Sequence, residues 1–237
     1  MTRKINNSYE LGQSNAPTDG GDMLKTRGDG TLVWEGVADT TYVPVSWYGG
    51  RGVFGGGRVS SATNVIDYIT ISTTGNAIDF GDMSVARYSH SGCSDGSRGV
   101  FAGGDSYNTI DYITISTLGN ATDFGDLTTT RKCDAQVSND INNRAVFAGD
   151  RSTANMEYVN IASTGNASSF GNLIVAFDGG GSVSNGTNDR GVFSAGEDIP
   201  GYTNEIEYIT ISTTGNSTDF GDMTSSYQGW SSCSGAA

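Results

Sequence analysis

Residues 98–126 read RGVFAGGDSYNTIDYITISTLGNATDFGD, and the chain repeats this pattern four times. The opening RGVFAGG at Arg98 recurs as RGVFGGG at Arg51, RAVFAGD at Arg144 and RGVFSAG at Arg190, at spacings of 47, 46 and 46 residues. The element IDYITIS around Tyr112 recurs around Tyr68, as MEYVNIA around Tyr158 and as IEYITIS around Tyr208. DFGDL around Phe124 returns as DFGDM at Phe80 and Phe220 and as SFGNL at Phe170, always twelve residues after the tyrosine. A fixed period near 46 with several short apolar runs in each unit marks a repeat architecture.

Each unit reads as four short strands. Gly-Val-Phe is apolar, β-compatible and closed by a glycine pair or its remnant. The tyrosine strand sets Ile66, Tyr68 and Thr70 on one face and Asp67, Ile69 and Ile71 on the other, as expected of a strand covered on both sides. Thr74-Gly75-Asn76 and its copies read as turns, because Gly and Asn tolerate positive φ. The Asp-Phe-Gly-Asp strand follows. A Ser/Thr-rich stretch such as Ser84 to Ser94 comes last, with the small side chains that the crowded inner strand of a radial array needs. Four strands at this period predict propeller blades, and a parallel β-helix would repeat at a shorter interval.

Composition agrees with an all-β chain. Gly contributes 35 of 237 residues and only 16% are charged, a mixture that weakens helix interiors. Lys and Arg total 13 against 26 Asp and Glu, a net charge of −13, so no nucleic-acid partner and no anionic membrane surface is expected. No apolar stretch is long enough for a membrane span, and MTRKINNSYELGQS has no apolar run behind its charged start, so no Sec signal is expected. Cys93, Cys133 and Cys233 are odd in number and widely spaced, which predicts reduced thiols rather than a disulfide frame or a zinc site. With His90 as the single histidine, neither an enzyme nor a cofactor is expected.

The double glycine, the tyrosine strand, the aromatic twelve residues on and the arginine beyond it (Arg87, Arg131) resemble the kelch repeat from Arg51 to the C-terminus. Phe stands where kelch units carry Trp, and Phe177 and Tyr227 replace the arginine in copies three and four, where the glycine pair is also degraded. The resemblance implies a four-bladed kelch-like β-propeller over 48–237. The terminal segment Thr224 to Ser234 matches the inner-strand stretch, since Cys233 follows Asp222 by eleven residues just as Cys93 follows Asp82. It is expected to close the ring beside Arg51–Gly57. The alternative is that residues 40–50 fill that place and the terminal strand pairs elsewhere, including with another subunit.

Residues 1–47 stand apart as a polar arm followed by a hairpin, DMLKTRGDGTLVWEG, turning at Arg27-Gly28-Asp29-Gly30. The turn accounts for the RGD triplet on backbone grounds. The spacing from Gly21 to Trp34, G-x-x-L-x-x-x-G-x-G-T-L-x-W, resembles the connector of phage tail-fibre proteins. The repeats RGVFAGG…IDYITIS…LGNATDFGDL resemble those of tailed-phage structural proteins, marine and cyanobacterial ones especially. That resemblance implies a virion protein, a tail fibre or capsid decoration. It would be docked through 1–47 onto other virion proteins and homo-oligomeric, displaying its propeller to host surface polysaccharide or protein. A secreted or surface glycan-binding lectin is the alternative. A copper oxidase of the galactose-oxidase type is set aside because one histidine cannot build its site.

Candidate ligand-binding residues follow from loop length. The stretch from the glycine pair to the tyrosine varies among the copies while the rest of the unit is nearly constant, and loops displayed by a rigid scaffold are where recognition concentrates. These loops carry Arg58, Asn64, Tyr107, Asn108, Arg151, Asn155, Tyr202 and Asn204, groups suited to sugars or polar protein surfaces. The recurring Arg51, Arg98, Arg144 and Arg190 are expected to pair with acids of neighbouring blades rather than to line an anion-binding mouth. The acidic pairs Asp79/Asp82, Asp123/Asp126 and Asp219/Asp222 are read as turn caps in preference to calcium ligands, and His90 with Cys93 as coincidence rather than catalysis.

Overall fold

The computed structural model describes residues 50–139, 143–184, 189–194, 196–198, 201–229 and 231–234, together with the two strands 22–26 and 32–36. Those strands, β1 (Asp22–Thr26) and β2 (Leu32–Gly36), pair antiparallel with Thr26 opposite Leu32. The turn expected at Arg27–Gly30, the remainder of the 1–47 arm and residues 40–49 lie outside the described residues. The chain divides into two units, Met1–Tyr48 and Gly49–Ala237.

The second unit is all β among its described residues. The first sheet holds β3 (Arg51–Arg58), β4 (Ala62–Thr70) and β5 (Ile78–Asp82). The second runs β6 (Ser91–Ser94), β7 (Arg98–Ala102), β8 (Thr109–Thr114), β9 (Thr122–Asp126). The third runs β10 (Ala135–Asn139), β11 (Arg144–Ala148), β12 (Asn155–Asn160), β13 (Ser168–Asn172). The fourth runs β14 (Gly181–Ser184), β15 (Arg190–Ser194), β16 (Glu205–Thr210), β17 (Thr218–Asp222). Spatial order follows chain order in every sheet and all pairs are antiparallel, so each unit is a simple meander consistent with a propeller blade.

Three apolar clusters lie between successive sheets. The first packs Ile66, Phe80 and Met83 against Phe101 and Ile113 of the next sheet. Equivalent sets fill the second and third interfaces, with Phe147 and Ile161 and then Phe193, Ile209 and Ile211 presented by the following sheet. The covered-on-both-sides reading of the tyrosine strand therefore holds for the second and third sheets, through this sheet-on-sheet stacking, whereas the first and fourth sheets, which include the Ile66–Ile71 strand, are covered on one face only. Inside each sheet the tyrosine and the phenylalanine twelve residues on meet edge to face, with centroids 5.8–6.1 Å apart.

The Gly-Asn turn, preceded by Thr in three copies and by Leu118 in the second, does more than turn the chain. Gly119 and Ala121 donate their amides to the carbonyls of Phe80 and Asp82 in the preceding sheet, and the Asn120 side-chain oxygen accepts from the Asp82 amide. Gly165, Asn166 and Ala167 repeat this on Phe124 and Asp126, and Gly215, Asn216 and Ser217 on Phe170 and Asn172. The Asn is present for its carbonyl, since none of these asparagines has positive φ. Opposite the clasp stands the glycine of Phe-Gly-Asp. A Cβ on Gly125, at φ +144°, would come within 2.5 Å of the Gly165 carbonyl oxygen.

The inner strands form a second seam. Ser182 Oγ donates to the Gln136 carbonyl and accepts from its amide, and Ser184 does the same at Ser138. Ser138 Oγ reaches the Ser94 carbonyl at 3.1 Å, and Gln136 Nε2 reaches that of Gly92 at 2.7 Å. Small polar residues thus suit the crowded inner position and also bond it together.

Ring closure by the terminal segment is not found. The first sheet has three strands, and 231–234 lies against β14, where Ser232 Oγ donates to the Ser182 carbonyl at 2.7 Å and Ser234 Oγ to that of Ser184 at 2.5 Å. The serine seam explains the difference: it places the segment where the inner strand of a following repeat belongs, one step beyond the fourth sheet.

Candidate functional site

Antiparallel meanders fix which loops share an end. The loop between the second and third strands of a sheet and the connector leaving its outer strand must lie together at one end. The hydrogen bonds follow this rule: Gly104 donates to the Arg131 carbonyl, Arg131 to that of Tyr107, and Leu127 to that of Asn108. The variable loops and the connectors around Tyr88, Lys132 and Asp178 therefore build one rim.

The predicted site residues divide on this rim. Asn64, Asn108 and Asn204 stand four residues before their tyrosines. Each donates its side-chain amide to the carbonyl of Met83, Leu127 or Met223, whose own N–H returns to the Asn carbonyl. In this structure they pin the loops. Asn155 is an exposed strand end whose carbonyl accepts from Arg131 at 2.5 Å. Arg58, Tyr107, Arg151 and Tyr202 remain as side chains displayed at the rim. The Arg58 guanidinium stacks over Tyr88 at 4.1 Å, Arg151 pairs with Glu197 at 2.6 Å, and both tyrosines are exposed.

Asp105, Glu197, Tyr88, Lys132 and Asp178 escape the loop-length argument. Arg58, Asp105, Arg151 and Glu197 each directly follow the glycine pair or its remnant, so the rim alternates in charge from sheet to sheet. Tyr88, Lys132 and Asp178 share the next phase, one residue after Arg87, Arg131 and Phe177. Tyr88 donates its hydroxyl to Asp105 at 2.8 Å, which raises its pKa, and Lys132 lies 2.8 Å from Asp178, which raises that of the ammonium. Burial and a hydrogen bond to Asp178 push the Asp134 carboxyl up to about 7, while the same bond lowers Asp178. Alignment of the residue after each glycine pair is the sequence signal for the alternating set. Lys132, Asp134 and Asp178 carry no comparable signal.

Other recurring charges are consumed by packing. Arg51, Arg98, Arg144 and Arg190 lie over Tyr68, Tyr112, Tyr158 and Tyr208 at 4.3–4.8 Å. The first three also donate to the carbonyls of Ile115, Ile161 and Ile211 in the following sheet. Among the described residues their partners are rings and carbonyls rather than the acids expected. Sequence reading also missed the acid before each tyrosine. Asp111 is fully buried and binds Arg87 at 2.8 Å and Ser84, Glu157 holds Thr128, and Glu207 accepts from the amides of Ile174 and Val175.

Asp219 accepts from the Gly221 amide two residues on, a turn cap, and among the described residues no three His, Cys, Asp or Glu side chains converge as a metal site. His90 Nε2 sits 3.0 Å from the Gly55 carbonyl, edge-on to Phe101, and burial lowers its pKa to about 4. Burial pushes the Cys93 and Cys133 thiols up to about 12 and 11, which keeps them protonated. No protein-family model and no curated protein matches this chain.

Proposed function

We propose that this chain is a structural protein of a tailed-phage virion, a tail fibre or capsid decoration. A kelch-like propeller unit would present its loop rim outward, and residues 1–47 would dock it onto other virion proteins. The sequence resemblance carries the virion assignment. The observation that supports a binding rim is the contrast between buried and displayed groups: the repeat's own charges are spent between sheets, whereas Arg58, Tyr107, Arg151 and Tyr202 stand outward at one end. Aromatic faces beside guanidinium and carboxylate groups suit the ring hydroxyls of a host polysaccharide or a polar protein surface. The rim's exposed ion pairs contribute only about 0–1 kcal/mol each, so a ligand displaces them at little cost.

Mass spectrometry of density-banded virions tests the particle assignment: peptides of this chain co-purify with infectious particles under this reading. Recovery solely as free protein, with binding on a glycan array, would support the lectin instead. Arg151→Ala together with Tyr202→Ala tests the rim by reducing attachment to host cells at least tenfold without altering particle yield. Unchanged attachment would remove the rim from recognition.

A further inference from the structure

The two outermost sheets are unfinished in complementary ways. Among the described residues β3 has no inner strand of the kind that β7, β11 and β15 each have, and the place beside it is a groove of about 190 Å³ walled by Val53, Cys93, Gly99, Ile113 and Ile115. At the corresponding interface between the third and fourth sheets the position is filled: a Cβ on Gly191 would strike Val137 at 2.5 Å, whereas the nearest atoms to one on Gly99 belong to Ile113 and Ile115. At the other end, 231–234 lies at an inner-strand position but has no Arg-Gly-Val-Phe strand beside it among the described residues. Its sequence, Ser-Ser-Cys-Ser, differs from the Ser-Gly-Cys-Ser of β6 at one position.

Sheet faces repeat the asymmetry. Phe101, Phe147 and Phe193 are 8%, 0% and 0% exposed because each packs on the sheet before it, while the equivalent Phe54 is 59% exposed. Ile71 is 65% exposed where Ile161 and Ile211 are fully buried. On the last sheet Phe220 is 53% exposed, against 3% for Phe80, Phe124 and Phe170, which a following sheet covers. Solenoid ends normally carry polar capping faces. Here one end shows the apolar residues a preceding sheet covers, and the other shows those a following sheet covers.

We propose that copies of this chain join head to tail, segment 231–234 of one copy entering the groove beside β3 of the next. The register follows from β6 on β7, where Cys93 faces Val100 and Ser94 faces Gly99. It sets Cys233 opposite Val53 and Ser234 opposite Gly52, with Phe54 and Ile71 of one copy on the Phe220 face of the other. The contact is heterologous, so it extends into a filament or closes into a ring according to the rotation per repeat. This inference does not depend on the virion reading.

Light scattering on the full chain across a concentration series tests the joint. The average mass should rise to twice the monomer or beyond. Phe54→Glu and Phe220→Glu, both on exposed side chains, should each return the chain to monomer, and mixing the two should give dimers and nothing larger, because each variant keeps one intact end. A wild-type chain that stays monomeric, assembly that survives either substitution, or a mixture that stays monomeric each overturns the proposal. A full chain carrying Val53→Cys and Cys93→Ala adds a positional readout. Oxidation should give covalent multimers through Cys233 that a further Cys233→Ser abolishes. A disulfide-linked monomer would show that the ring closes within one chain, and no disulfide would overturn the register.

Discussion

The first and third sheet interfaces solve one packing problem with opposite chemistry. Between the first and second sheets the residue seven after the phenylalanine is Arg87, fully buried, bonded to Asp111 at 2.8 Å and to the Phe101 carbonyl at 3.1 Å. Between the third and fourth the same phase is Phe177, buried among Ala148, Phe170 and Phe193, and the acid of the next sheet, Glu207, caps two amides instead. The second interface is intermediate, since Arg131 spans the carbonyls of Phe147 and Asn155 while Glu157 holds Thr128. A charged pin is therefore one means of filling this position and not a requirement of the fold. What stays constant is the backbone clasp at Gly-Asn and the aromatic pair.

The comparison can be broken by substitution. Asp111→Ala strands a buried guanidinium and should cost about 3–5 kcal/mol in urea unfolding. Phe177→Ala, which opens a cavity at the matching place, should cost a similar amount, about 3–5 kcal/mol. Glu207→Ala leaves the Ile174 and Val175 amides without their acceptor and should cost less, about 1–3 kcal/mol. If Glu207→Ala proves worse than Asp111→Ala, the ion pair is not what distinguishes the first interface.

Acid–base behaviour sharpens the contrast between core and rim. Asp134 has a raised pKa, about 7 against an ordinary 3.8, so its contribution is present at low pH and is lost as pH rises through about 7. His90 has a lowered pKa, about 4 against 6.5, so its contribution is present above pH 6.5 and is lost as pH falls towards 4. The two slopes oppose each other between pH 4 and 6.5. Asp134→Asn keeps a donor for Asp178 and removes one slope, so its denaturation midpoint should gain on the wild type from pH 5 to pH 8. An identical pH profile would remove Asp134 from the balance. The smallest effect belongs to the rim: Arg151→Ala breaks an exposed pair and should shift stability by no more than about 0.5 kcal/mol.

Strand content was legible because each strand carries a local signature, Val-Phe, Asp-Tyr or Phe-Gly-Asp, that neither composition nor context overrides. Exposure was not. Phe54 and Phe101 sit in RGVFGGG and RGVFAGG, near-identical words, yet one is open and the other covered, because coverage depends on whether another sheet precedes. The pinning role of the loop asparagines was hidden for a related reason. An amide suits a sugar and a backbone carbonyl equally well, and only recurrence four residues before three of the four tyrosines separates the pin Asn108 from its neighbour Tyr107. Asp111 was hidden because an acid in an apolar strand reads as solvent-facing until its arginine, in the preceding repeat, is known.

The clasp also has a mechanical meaning. Each sheet is tied to the next by the same two backbone bonds and one asparagine side-chain bond, reinforced by the serine seam at the second and third interfaces, so a pulling force along the chain meets a series of similar fasteners. Such a series yields one link at a time. Under tension the molecule should lengthen in sawtooth steps of about 15–17 nm, the extended length of roughly 46 residues at about 3.3–3.6 Å each. It would behave as an extensible tether that absorbs load by releasing single repeats while the others stay folded.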